Sequence, residues 1–231
     1  MNKTRTIIMF VPFLVVGIIH IVALAVGATA LSGFTKPLLM LLLLAAFLFS
    51  LPRVRSEIAL LGALGIILSW VGDVSLASPG GLGFLIGLGF FLLAHVAYIL
   101  LFWRKLRTRK LPIVAAIYPL WWIGLVVVLA PHLGNLLIPV AVYGLVLGSM
   151  GALALRSDIR IAIGGALFVV SDTLLGLDRF LPGFDLWQVS AMIMTTYIAA
   201  QGLIAYGVIR MAWSRGVVDS KARSADVSAS M

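Results

Sequence analysis

Apolar runs of bilayer-crossing length recur along the whole chain, and no polar stretch between them is long enough to build a water-facing domain. A helix needs about 20 predominantly apolar residues to cross the hydrocarbon core. By that measure the 231 residues read as eight segments near Thr6–Leu31, Lys36–Leu51, Glu57–Leu76, Leu82–Trp103, Pro112–Ala130, Asn135–Leu155, Ile161–Leu177 and Leu186–Trp213. The second, with an apolar core of about 14 residues, is the shortest for a span. Charged residues make up 11% of the chain and apolar ones 62%, whereas a soluble domain carries about 25% charged residues. A soluble globule is therefore excluded, as are collagen and a disulfide scaffold. The absence of cysteine also removes every thiolate mechanism and cysteine metal site. The expected architecture is all-α: a polytopic bundle of eight transmembrane helices over residues 1–214. Residues 215–231, small, polar and aperiodic, read as a disordered cytoplasmic tail.

The net charge of +9 is a statement about topology. Of the 17 Lys and Arg, all but Lys36 and Arg179 fall in the termini or in connections that an eight-span path places on one side. Short loops rich in Lys and Arg stay cytoplasmic, so both termini are expected there, in a bacterial-type plasma membrane. Attraction to anionic lipid heads follows, and nucleic acid is not an expected partner. One competing feature is Ala28-Thr29-Ala30 after the first apolar run, which has the look of a signal-peptidase site. The run is longer than a secretory core, which argues against cleavage.

Within the spans, an ionisable residue is costly and marks function by default. Of the eight acids, Glu57, Asp158, Asp219 and Asp226 lie at a helix start, in a loop or in the tail, and Asp178 and Asp185 lie in the last connection. Asp73, in SWVGDVSLA, and Asp172, in GGALFVVSDTLLGL, remain. Both sit on odd-numbered helices, which places them in the outer half of the membrane at matching depth. Their flanks are alike, with a small residue before each, a hydroxyl from Ser69 or Ser171 nearby, and leucine three residues after. That resemblance is a faint trace of a four-plus-four parallel repeat. Each Asp alone could simply end a helix at the interface; two at one depth can share a pocket.

Other polar residues gather at that level. His95 and Tyr98 share a face of the fourth helix, and Tyr197 and Gln201 stand one turn apart on the eighth. Tyr143 is mid-span in the sixth and needs a hydrogen-bond partner. Lys36 opens the second helix on the cation-poor side. Each has a plainer reading: a packing histidine, an interhelical amide, a snorkelling lysine. No His or Glu spacing suits a metal, so no metal or cofactor is expected. His20 and His132 read as structural, and the pairs Gly83–Gly87 and Gly144–Gly148 as close helix packing.

Six short motifs carry a family resemblance: KPLL at Lys36–Leu39, SWVGD at Ser69–Asp73, and GLxFFxxAHxxY ending at Tyr98. PVAVY with a later methionine (Pro139–Met150), GALFVVSD (Gly165–Asp172) and YxxAQxLI (Tyr197–Ile204) complete the set. In this order the sequence resembles the YhhN/TMEM86 family of integral-membrane lysoplasmalogenases. The resemblance spans the second to the eighth helix; the first helix and the tail carry none of it.

That resemblance implies a hydrolase of the vinyl ether bond in lysoplasmalogens, releasing a fatty aldehyde and glycerophosphoethanolamine or glycerophosphocholine. Such a bond resists nucleophiles until its β-carbon is protonated. The site therefore needs a proton donor and a base for water. Two carboxyls crowded into one low-dielectric pocket favour sharing a single proton, and a carboxylate beside an oxocarbenium-like centre is the glycosidase arrangement. Asp73 and Asp172 are thus the expected catalytic pair, with acid and base unassigned. His95, Tyr98, Tyr143, Tyr197 and Gln201 would supply hydrogen bonds, Ser69 and Ser171 would support the carboxyls, and Lys36 would meet the substrate phosphate. The expected partners are a lysophospholipid from the bilayer and water; oligomeric state is unspecified. The rival expectations are a proton-coupled transporter or lipid-handling protein without chemistry, and a purely structural membrane component.

Overall fold

The computed structural model describes residues 3–78 and 81–229, and every regular element among them is helical. Eight α-helices follow in order: α1 (Lys3–Ala25), α2 (Thr29–Ser50), α3 (Glu57–Leu76), α4 (Gly81–Leu100), α5 (Ile117–Leu133), α6 (Leu137–Ala154), α7 (Ile159–Phe180) and α8 (Val189–Ala229). A wide π turn, Leu101–Lys105, closes α4, and 3-10 turns Ile113–Ala116 and Gly134–Leu136 flank α5. Among the described residues, seven helical stretches are long and apolar enough to cross a membrane, one of them the 42-residue run Ile113–Ala154. Straight, that run would extend about 63 Å, roughly twice the hydrocarbon thickness. It is broken at Gly134, whose φ of 50° suits a residue without Cβ. The two halves, α5 and α6, fold back on one another, and Trp122 Nε1 donates to the Ala141 carbonyl at 2.8 Å.

Local chemistry sets the boundaries. Ser56 caps α3 by accepting from the Ala59 amide at 3.1 Å, and Asp158 caps α7 by accepting from the Arg160 amide at 2.9 Å. Such caps satisfy donors that helix starts leave free. Glu57 pairs with Arg104 at 3.2 Å and Lys105 at 2.6 Å, tying the start of α3 to the end of α4.

The first two helices differ from the sequence reading. The long first run stops at Ala25, because Gly27 takes φ 72°, and α2 starts at Thr29, seven residues before the expected Lys36. Pro37 lies inside α2, where its ring crowds the carbonyl four residues back. That residue is Gly33, which adds no side chain of its own. Thr35 Oγ1 then bonds the Leu31 carbonyl at 2.8 Å and His20 Nδ1 at 2.8 Å, so His20 has polar company from α2.

The last helix differs too. Its membrane-length part ends at Arg215, yet the α8 backbone stays helical to Ala229, through most of the segment read as a disordered tail; residues 230 and 231 lie outside the described residues. Extending an existing helix through Ala, Arg and Lys carries no nucleation cost, which is why a polar segment can continue it.

Helix α8 is the most buried of the spans and the α5–α6 pair the least. The tightest pairings are α3 with α4 and α7 with α8. Glycine sets both. The Phe91 ring lies against the Cα of Gly72, and Gly164 lies against the Ala200 carbonyl of α8. Gly83 and Gly87 press on the end of α3, while Gly144 and Gly148 face Trp122 and Trp121, the close packing their spacing implies. Large apolar side chains such as Ile18, Leu120, Val127 and Ile138 point outward, as a lipid-facing surface requires. The chain is a multi-pass membrane protein.

Candidate active site

Between α2, α3, α4, α5, α6, α7 and α8 lies a cavity of about 100 Å³. Its walls are mostly apolar, with Phe91, Leu147 and Leu125 among the lining side chains, and its polar members are few: Lys36, Asp73, Tyr143, Ser171, Asp172 and Tyr197. The two membrane carboxyls therefore face one space, within electrostatic reach of each other.

Each carboxyl is held by a tyrosine from a different helix. Tyr197 on α8 donates its hydroxyl to Asp73 Oδ2 at 2.8 Å. Tyr143 on α6 donates to Asp172 Oδ2. Asp73 is buried and Asp172 half-buried, open toward the cavity. Lys36 stands within electrostatic reach of Asp73. Its turn is fastened to α3 by Trp70, whose Nε1 donates to the Pro37 carbonyl at 2.9 Å.

Behind Asp73 the hydrogen bonds continue away from the cavity. Gln201 Nε2 donates to Ser69 Oγ at 2.9 Å and reaches Tyr197 Oη at 3.5 Å. Its Oε1 accepts from the Tyr98 hydroxyl at 2.7 Å. Ser69, Tyr98 and Gln201 are all fully buried, so the network spends every amide hydrogen and oxygen of Gln201 on fixing the Tyr197 hydroxyl. With the amide donating to that oxygen, the phenolic hydrogen is left for Asp73.

The two tyrosines rest on a common aromatic floor. The Phe168 ring packs edge-on against Tyr197 (5.5 Å between centroids) and His95 (4.7 Å), and His95 against Tyr143 (5.4 Å). His95 stands among these rings, set back from the cavity. The ring is fully buried, is absent from the cavity wall, and neither nitrogen makes a good hydrogen bond. Ser171 lines the cavity, but its hydroxyl donates to the Ile193 carbonyl at 3.1 Å; it braces α7 on α8 rather than supporting a carboxyl. The shared flanks of the two aspartates do not extend to their partners either: Asp73 is served from α8, Asp172 from α6.

Sequence reasoning passed over two contributors. Trp121 lines the cavity and donates to Thr173 Oγ1 at 3.0 Å, locking α5 beside the Asp172 turn; a tryptophan pair mid-span was the available signal. Phe168 was inside a recognised motif but has no polar atom to draw attention. Among the described residues, no three His, Asp or Glu side chains gather to hold a metal ion.

Comparison with known proteins converges on the same part of the chain. The YhhN family model matches residues 31–208, from the start of α2 into α8. The chain belongs to the YhhN family. Within reach of this family, the chain is 37% identical over 197 residues to proteins named lysoplasmalogenase from Mycobacterium bovis and Mycobacterium tuberculosis, covering 81% of this chain and 73% of theirs. It is 34% identical over 146 residues to human lysoplasmalogenase TMEM86B, covering 63% of this chain and 62% of the human one. No solved structure matches. The family match omits α1, the helix for which no motif was found.

Proposed function

We propose that this protein hydrolyses the vinyl ether bond of lysoplasmalogens, with Asp73 and Asp172 as its acid and base. The observation that carries the reading is that two carboxyls on separate helices face one mostly apolar cavity, each oriented by a tyrosine. The names of the mycobacterial and human relatives support the substrate class.

The alkenyl chain enters the greasy part of the cavity with its vinyl ether between the carboxyls. One carboxylic acid protonates the β-carbon, leaving an oxocarbenium ion at the α-carbon that the other carboxylate stabilises. That carboxylate takes a proton from water as its oxygen bonds the α-carbon. The hemiacetal then collapses: its hydroxyl gives a proton to the carboxylate left by the first step, the bond to the glycerol oxygen breaks, that oxygen takes the proton the second carboxyl drew from water, and a fatty aldehyde leaves beside glycerophosphoethanolamine or glycerophosphocholine. Confining charge build-up to a water-poor site with fixed dipoles is the electrostatic contribution, and Lys36 meets the phosphate. The cation-rich side faces the cytoplasm, so the cavity opens toward the outer half of a bacterial-type plasma membrane.

The test is aldehyde release from a lysoplasmalogen by purified protein, wild type beside Asp73→Asn and Asp172→Asn, with the saturated ether as control. Release confined to the vinyl ether and reduced about 10²- to 10⁴-fold in each variant is expected, the range for losing a positioned acid or base. Full activity in both variants sinks the two-carboxyl mechanism. No release from folded wild type sinks the hydrolase reading, and proton-coupled lipid transport is then measured.

A further inference from the structure

Lys36 and Arg179 are the two cations that break the one-sided charge distribution of the chain, and the structure brings both to the same cavity. Lys36 is part of its wall. Arg179 is exposed, and its guanidinium carbon lies 4.2 Å from the centroid of the Phe84 ring. Phe84 and Phe180 both line the cavity and pack edge to face, 5.5 Å between centroids. The arginine is therefore seated on the cavity's rim by a cation–π contact. No ion pair among the described residues involves it. A guanidinium held over a ring can still offer its N–H fork to a phosphate, which it binds bidentately.

The spacing along α7 fits a lysoplasmalogen. Asp172, Leu175 and Gly176 line the cavity, and Arg179, seven residues on from Asp172, continues the same face. Seven residues advance about 10.5 Å along a helix. In the substrate, five single bonds separate the vinyl ether oxygen from phosphorus, roughly 6 Å when extended by ordinary covalent spacings. A hydrogen-bonding distance at the guanidinium end makes up the difference, to within the reach of the two side chains.

We propose that Arg179 binds the phosphodiester of the lysolipid head group, with Lys36, at a spacing that leaves the vinyl ether beside Asp172. This rests on the vinyl ether reading above. An arginine in the last turn of a helix also opposes the helix dipole, but that effect is blind to the substrate, which makes the two separable.

The experiment uses the full chain in nanodiscs and compares Arg179→Gln, Arg179→Lys and Lys36→Gln with wild type. Two substrates are offered: a 1-alkenyl lysophosphoethanolamine and 1-alkenylglycerol, which keeps the vinyl ether and lacks the phosphate. Arg179→Gln should raise KM for the phosphate-bearing substrate on the order of 10- to 100-fold, the span for one charge-assisted contact, with kcat and the 1-alkenylglycerol reaction unchanged. Arg179→Lys should recover part of the loss, keeping the charge without the fork. Equal losses on both substrates, or no loss on either, overturn the proposal. Binding of the saturated 1-alkyl lysophosphoethanolamine, measured with radiolabelled lipid against 1-alkylglycerol, decides it without catalysis. If wild type cleaves neither vinyl ether, the hydrolase reading falls alone. Undiminished affinity of Arg179→Gln for the saturated phospholipid then overturns the Arg179 site.

Discussion

Tyr197 gives its phenolic hydrogen to Asp73 across 2.8 Å, reaching from α8 to α3 over a sequence separation of 124 residues. The direction of that bond is dictated by Gln201, whose amide faces the same phenolic oxygen while its carbonyl is taken by Tyr98. Tyr143 serves Asp172 without such a network behind it; its ring is braced by His95. The two carboxyls thus differ in how firmly their surroundings are fixed: one ends a chain of oriented hydrogen bonds, the other stands half-open to the cavity.

Removing either phenol should therefore lower kcat. Tyr197→Phe and Tyr143→Phe each delete one hydrogen bond to a carboxyl of the pair, and a fall of about 10- to 100-fold is expected. KM should change little, because neither hydroxyl is needed to hold the lipid chain. Steady-state kinetics with purified variants, checked for folding by thermal unfolding, decide the matter. A rise in KM with unchanged kcat would mean that the tyrosines bind substrate instead.

The origin of the new C–H bond is a second prediction. Protonation at the β-carbon places one solvent hydrogen on carbon 2 of the aldehyde. In heavy water, aldehyde trapped as it forms should carry a single deuterium, read by mass spectrometry. Aldehyde without deuterium would require cleavage that bypasses carbon protonation, and the acid role of both aspartates would be lost with it.

Much of this was legible because hydrophobic length and charge asymmetry are one-dimensional signals. Asp73 and Asp172 stood out since membrane helices rarely carry unexcused acids, and Tyr143 because a buried phenol needs a partner. The partners themselves were not legible. Tyr98 meets Gln201 across 103 residues and Gln201 meets Ser69 across 132, pairings that only helix packing decides. His95 was legible as a polar side chain on a helix face, but its ring neighbours Tyr143 and Phe168 were not. The α1–α2 boundary falls earlier than the apolar run suggests because Gly27 breaks the helix, while Pro37 is absorbed inside α2.

Truncation after Arg215 should leave turnover intact. The membrane-length part of α8 ends at that residue, and every group placed around the cavity lies before it. Expression of the shortened chain and the same aldehyde assay give the answer. A loss of activity with preserved folding would assign the tail a part in the reaction or in substrate entry.

Close contact between α7 and α8 leads to the last prediction. A Cβ on Gly164 would lie 2.8 Å from the Ala200 carbonyl oxygen and 3.1 Å from the Ile204 amide nitrogen. Backbone atoms cannot rotate away as a side-chain tip can, so the helices must separate. The displacement would be felt at Tyr197 and Gln201, which flank Ala200 on α8, and at Asp172 two turns along α7. Gly164→Ala should cost about 1–3 kcal/mol, the usual penalty of overpacking, and should lower activity in the protein that remains folded. Gly89→Ala is the control, since a Cβ there meets nothing within 4 Å and alanine favours the helix by about 1 kcal/mol. Thermal unfolding of both variants in detergent is the measurement. Equal stability of the two would mean that α7 and α8 are not packed backbone to backbone at Gly164.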